Sequence, residues 1–136
     1  MTIKSYRDLD VWKKSVLLVT EIYKTTANFP KEEIYGLTSQ IKRSAVSVPS
    51  NIAEGRGKRS TRDFIRFLNI SYGSLCELET QLIIANNLAL LKTTDLETLL
   101  NASSEIARML NGLINSLEDK LSSPKSRILN PESYAS

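Results

Sequence analysis

The chain has 136 residues, a net charge of +3, one cysteine and no histidine. That length suits a single domain with a core large enough to need no staple. The absence of histidine and the single cysteine exclude every His-containing catalytic triad, an intramolecular disulfide and a His/Cys zinc site. A carboxylate-only metal site is the remaining metal option, and no cofactor is expected.

No apolar run approaches the ~20 residues of a membrane span, and the N-terminal MTIKSYRDLD lacks the apolar stretch of a secretory signal. A cytoplasmic location is therefore expected. The Asn-x-Ser matches at Asn69 and Asn101 read as coincidental. Cys76, with Glu77 and Glu79 beside it, lacks the basic surroundings of a reactive thiol and is expected as a small buried hydrophobe.

Helical periodicity dominates the chain. The first helix is predicted to begin near Tyr6 or Arg7 with Ser5 as N-cap, and to end at Asn28-Phe29-Pro30. Its seam reads as Leu9, Trp12, Val16, Val19 and Tyr23, widened by Val11, Leu18 and Ile22. A second helix starts at Pro30, whose fixed φ suits a first turn. Its stripe is Ile34, Leu37, Ile41, Ala45, Val48 and Ile52. Pro49 falls inside it, but the stripe resumes in phase at Ile52, so a kink is expected there rather than a stop. Gly55-Arg56-Gly57 reads as the end of this helix.

Ser60 is the expected N-cap of a third helix running to Leu91, with Asp63 completing an approximate capping box. Phe64, Leu68, Ser71, Leu75, Leu78, Leu82, Ala85 and Ala89 keep a bundle-like spacing of 4 and 3. Thr94 and Glu97 form a potential capping box for a fourth helix, with a seam of Leu96, Leu99, Ser103, Ile106, Leu110, Leu113, Leu117 and Leu121. The short connections predict an all-α, antiparallel, up-down-up-down four-helix bundle over residues 1–121. Residues 122–136, with Pro124 and Pro131, are expected to form an extended or mobile tail.

Apolar residues off the seams offer two readings. Phe67, Ile70, Ile83, Ile84, Leu88 and Leu90 on the third helix, and Val11, Leu18 and Ile22 on the first, widen the core-facing stripes or mark a self-association surface. Gly73, inside the third helix, would let another helix approach closely.

Charge is unevenly spread. Residues 42–66 carry a net +5 and residues 67–121 a net −4. Gly55-Arg56-Gly57-Lys58-Arg59-Ser60 is not a P-loop, because it lacks the upstream glycine and the hydroxyl residue directly after lysine. Adjacent carboxylates such as Glu32/Glu33 and Glu118/Asp119 do not face each other on a helix, so they do not form catalytic pairs. The basic segment carries the strongest functional signal. Arg59, Arg62 and Arg66 share a face at the start of the third helix, with Arg56 and Lys58 in the preceding turn and Arg43 on the second helix. A polyanion patch is one reading, and a solvated face partly neutralised by Glu54 and Asp63 is the other. No aromatic stacking residue or base-reading motif is evident in the loop, so contacts would be to phosphates, not sequence.

Several segments carry a family resemblance: Ser5-Tyr6-Arg7-Asp8-Leu9, Val11-Trp12, Phe29-Pro30, Glu33 with Tyr35-Gly36-Leu37-Thr38-Ser39-Gln40, Arg43 through Gly55 (RSAVSVPSNIAEG), Phe64 with Phe67-Leu68, and Gly73-Ser74 with Glu77. Together they resemble the bacterial four helix bundle protein family, whose founding members are encoded by intervening sequences within large-subunit ribosomal RNA genes. The resemblance spans about residues 5–120. It implies a ring-shaped homopentamer, and a similarity to the pentameric basic accessory protein of diversity-generating retroelements, which binds nucleic acid and a reverse transcriptase. It supplies no catalytic residues. The function expected is therefore a non-enzymatic homo-oligomer that binds RNA or DNA non-specifically through Arg43, Arg56, Lys58, Arg59, Arg62 and Arg66. The alternative is a protein-interaction adaptor without a nucleic-acid role.

Overall fold

The computed structural model describes residues 5–122. Apart from Ser122, which closes the last helix, the segment expected as a tail lies outside the described residues. Four helices, α1 (Asp10–Thr26), α2 (Leu37–Arg56), α3 (Thr61–Asn87) and α4 (Thr93–Ser122), follow one another with two short 3-10 turns at Tyr6–Asp8 and Lys31–Glu33. No strand occurs among the described residues. Each helix packs on its sequence neighbour, and α1 closes on α4, as an up-down-up-down bundle requires.

The N-terminus departs from expectation in an informative way. Ser5 caps the 3-10 turn, through a full capping box with Asp8, and the α-helix proper starts one step later at Asp10. The seam of α1 is also rotated. Its buried residues are Val11, Ser15, Leu18, Ile22 and Thr26, whereas Val16 is half-buried and Tyr23 exposed. The Ser15 and Thr26 hydroxyls donate to the carbonyls of Val11 (2.7 Å) and Ile22 (2.8 Å). Their polarity is thus satisfied within the helix, and both fit an apolar interface. Val11, Leu18 and Ile22 are core, not spare surface.

Pro30 leads only into the second 3-10 turn. The chain then breaks at Ile34–Gly36, leaving Ile34 and Tyr35 exposed, before α2 begins at Leu37. From there α2 continues through Pro49, which is buried. Missing one backbone donor, it costs about 3 kcal/mol in a helix interior. A rail of polar contacts accompanies it along α3. Ser44 donates to Gln81 (3.0 Å), Ser47 and Ser74 share a hydrogen bond (2.7 Å), and Ser71 donates to the carbonyl of Val48. Asn51 donates back to the carbonyl and hydroxyl of Ser47 at 2.8 and 2.9 Å.

Gly55 belongs to the helix instead of ending it. A Cβ there would lie 2.6 Å from Cβ of Phe67 and 3.1 Å from Cδ1 of Phe64, so glycine is required for close approach of α3. The cap is Gly57, in ordinary right-handed geometry.

α3 stops at Asn87, short of Leu91. Ala89 takes φ 62°, the N–H of Leu90 bonds to the carbonyl of Ala85 (2.9 Å), and that of Ala89 to Asn86 (3.0 Å). This is a Schellman termination with alanine in the position usually held by glycine. It turns the chain over and buries Leu91. α4 begins at Thr93, which places Thr94 inside the helix, so the anticipated Thr94/Glu97 box does not form. Its seam drifts from Leu110 to Ile114, with Leu113 and Leu117 only half-buried, as a 3.6-residue period dictates over this length. Cys76 is exposed, contrary to expectation, because it faces away from the Leu75–Leu78 seam. Gly73 is exposed too, with open space where a Cβ would sit, so no other helix among the described residues uses the room it provides.

Candidate nucleic-acid interface

The close contact at Gly55 sets up the basic end of the molecule. It brings the end of α2 against the first turns of α3, and the turn between them is correspondingly tight. The Gly57 N–H bonds to the carbonyl of Ala53 and that of Lys58 to Gly55, both at 3.1 Å. Ser60 then adopts extended geometry and its hydroxyl accepts from the Asp63 N–H at 3.0 Å, starting α3. Three cations are thereby displayed on a rigid corner: Arg56 half-buried, Lys58 and Arg59 exposed.

Because the bundle alternates direction, the C-terminus of α4 and the N-terminal turn come to the same corner. An open cleft of ≈ 350 Å³ results. Leu9, Phe64, Leu113 and Leu117 give it apolar walls, while Arg56, Lys58, Arg59 and Lys120 supply positive charge and Ser60 and Thr61 add hydroxyls. Among the described residues no carboxylate lines it, although Glu118 and Asp119 lie on the same last turn of α4. A second recess of ≈ 340 Å³ adjoins it, lined by Ser5, Tyr6, Arg56, Gly57 and Lys58. The two hollows share Arg56 and Lys58. The N-terminus of α3 adds the partial positive charge of its free amides.

Arg62 and Arg66 continue the basic surface along α3, both exposed. Arg66 lies over the Phe67 ring at 4.5 Å, and Lys58 over the same ring at 5.2 Å. Arg66 also pairs weakly with Asp63 at 3.7 Å. Glu54 forms no salt bridge with Arg43, Arg59 or Arg62 among the described residues. Arg43 stands apart. It is exposed, but thirteen residues before Arg56 on α2, or about 20 Å along the axis at 1.5 Å per residue.

Reading the sequence missed Lys120, Tyr6 and Phe64 as neighbours of this corner. Lys120 sits in the acidic half of the chain, and Phe64 reads as a seam residue. Antiparallel order is the signal that could have found them, since it requires the last turn of α4 to meet the turn between α2 and α3.

A groove of different character runs between α1 and α4, with a volume of ≈ 220 Å³. Leu17, Leu18, Leu99, Ala102 and Ile106 form its apolar part, and Glu21, Asp95 and Glu105 outnumber Lys14 among its charged residues. Lys14 and Glu105 bridge the helices at 2.8 Å. That hydrogen bond and the attraction behind it hold the Glu105 carboxyl below its ordinary pKa and raise that of Lys14. Among the described residues no group of three or more His, Cys, Asp or Glu side chains is placed to hold a metal ion, and no helix is long and apolar enough to cross a membrane.

This architecture is shared. The crystal structure of a protein of unknown function from the S23 ribosomal protein family of Bacteroides thetaiotaomicron is similar, with 30% sequence identity and a TM-score of 0.69. The similarity covers 76% of this chain and 97% of that one. No curated protein matches. The family model for the 23S rRNA-intervening sequence protein matches residues 7–112, through α1, α2, α3 and most of α4. With the shared bundle and that match together, the chain belongs to the 23S rRNA-intervening sequence protein family.

Proposed function

We propose that the protein is a non-enzymatic, homo-oligomeric binder of nucleic acid in the cytoplasm, which grips phosphates through its basic corner without reading sequence. The observation that carries this is the convergence of Arg56, Lys58, Arg59 and Lys120 on one cleft at the start of α3. Arg62 and Arg66 extend the same surface. Arg43 contributes only where the polyanion reaches along α2. Charges gathered on a rigid corner match the dense phosphates of RNA or DNA, and each phosphate neutralised releases counterions. Affinity is therefore expected to fall steeply with salt.

The test is RNA binding by fluorescence anisotropy across a salt series. Arg59→Glu with Arg62→Glu should weaken binding by at least about tenfold and flatten the slope of log affinity against log salt by roughly two phosphates' worth. Binding unaltered by this double reversal would refute the site.

The α1–α4 groove favours a second reading, in which the protein is an adaptor for a partner protein. Its apolar residues between acidic ones suit a basic amphipathic helix. Recovery of one protein partner that survives nuclease, together with no RNA affinity, would select this reading.

A further inference from the structure

The basic corner is more than a flat positive surface, and its shape bears on which form of nucleic acid it takes. A duplex presents phosphates and sugars outward, with its base faces stacked away. Binding it non-specifically requires cations but no apolar hollow. Here the cations surround two hollows. One has apolar walls of Phe64, Leu9, Leu113 and Leu117, and the other is more polar, with Tyr6 beside Ser5 and Gly57 and with Arg7 over the Tyr6 ring at 5.7 Å. Arg56 and Lys58 form the partition common to both. Aromatic faces beside a cationic track are what single strands use, because every unpaired base has an apolar face to stack.

We propose that these two hollows together hold one dinucleotide step of a single strand, with Arg56 and Lys58 on the phosphate between the bases and Phe64 and Tyr6 against the bases themselves. The assignment rests on the nucleic-acid reading above and narrows it to unpaired RNA or DNA. The partition explains the order of contacts, since a base, a phosphate and a base follow one another along a strand as the Phe64 hollow, the cations and the Tyr6 hollow do along the corner. Arg59, Ser60 and Thr61 stand at the Phe64 side, where the next phosphate would pass. Tyr6 meets Trp12 edge-on at 5.2 Å between ring centroids. Trp12 is the chain's one tryptophan, so its fluorescence reports on occupancy of the Tyr6 hollow.

The experiment uses the full chain with two labelled probes of equal phosphate number, a twelve-nucleotide oligouridine and a short RNA duplex. At one salt concentration the single strand should bind more tightly and quench Trp12. Phe64→Leu keeps apolar volume against Gly55 but removes the aromatic face. It should weaken the single strand by about tenfold and leave the duplex within about twofold. Tyr6→Leu, in the N-terminal turn outside the core, should act in the same direction and covers the case in which Phe64→Leu misfolds. Equal or tighter duplex binding, or single-strand affinity within about twofold of wild type in both variants, would overturn the dinucleotide site. The phosphate-binding reading would then survive if affinity still fell with salt. Failure of both probes to bind would remove both.

Discussion

Gly55 shows how one residue's size controls the basic corner. An added Cβ would overlap Phe67, and the backbone there has no slack, because the helix must still reach Gly57 and turn. Gly55→Ala should destabilise the fold by about 1–3 kcal/mol, the usual range for overpacking a filled interface, read as a lower urea midpoint. No change in midpoint would mean that α3 stands off further than 2.6 Å implies. The sequence marks this position as glycine but does not say why, since helix-ending and close-approach glycines look alike in a string. Cys76 shows the same ambiguity from the other side. Its composition suits a core, yet its place between the seam residues Leu75 and Leu78 turns it outward.

Among the elements, α3 was the most legible, since seven of its eight seam positions follow an unbroken apolar or small-residue repeat from Phe64 to Ala85. Its end was not, because Ala89 is a strong helix former by propensity and takes a left-handed conformation only under the demand of the turn to α4. A non-glycine residue pays for that geometry in steric energy. Ala89→Gly should raise stability by about 1 kcal/mol, seen as a higher urea midpoint with unchanged slope. A decrease would show that alanine's Cβ makes packing contacts that outweigh the backbone gain. In α1 the seam was hidden for a different reason. Ser15 and Thr26 look polar in the sequence but bury themselves by bonding to their own helix. Val11, Leu18 and Ile22 do mark that phase, but with polar gaps at 15 and 26 they are outnumbered by the apolar row from Leu9 to Tyr23.

At the scale of the whole molecule, the bundle and its order of helices were readable from period and loop length, while the composition of the basic corner was not. Lys120 and Tyr6 come from the far ends of the chain and meet Arg56 only after folding. The exposed apolar residues sort themselves in the same way. Phe67 joins the core, but Ile70, Ile84 and Leu88 stay 42%, 42% and 59% exposed on the face of α3 that carries open Gly73. Such a strip, with room for a close approach, suits a second copy of the chain. Light scattering should give a particle several times 15.2 kDa, five times on the family resemblance, and Ile84→Glu should lower that mass. A monomer at every concentration would rule out self-association.

The hydroxyl rail between α2 and α3 has a consequence for how the corner meets a ligand. Ser44, Ser47 and the Val48 carbonyl each have a mate at a set height on α3. Sliding one helix past the other by a turn, about 5.4 Å, would break all three of these contacts together. The pair therefore meshes like a keyed shaft, in one phase. The turn that joins them inherits this fixed setting, so Arg56, Lys58 and Arg59 keep one height on the corner, and a strand bound as proposed would bear most of the ordering cost itself.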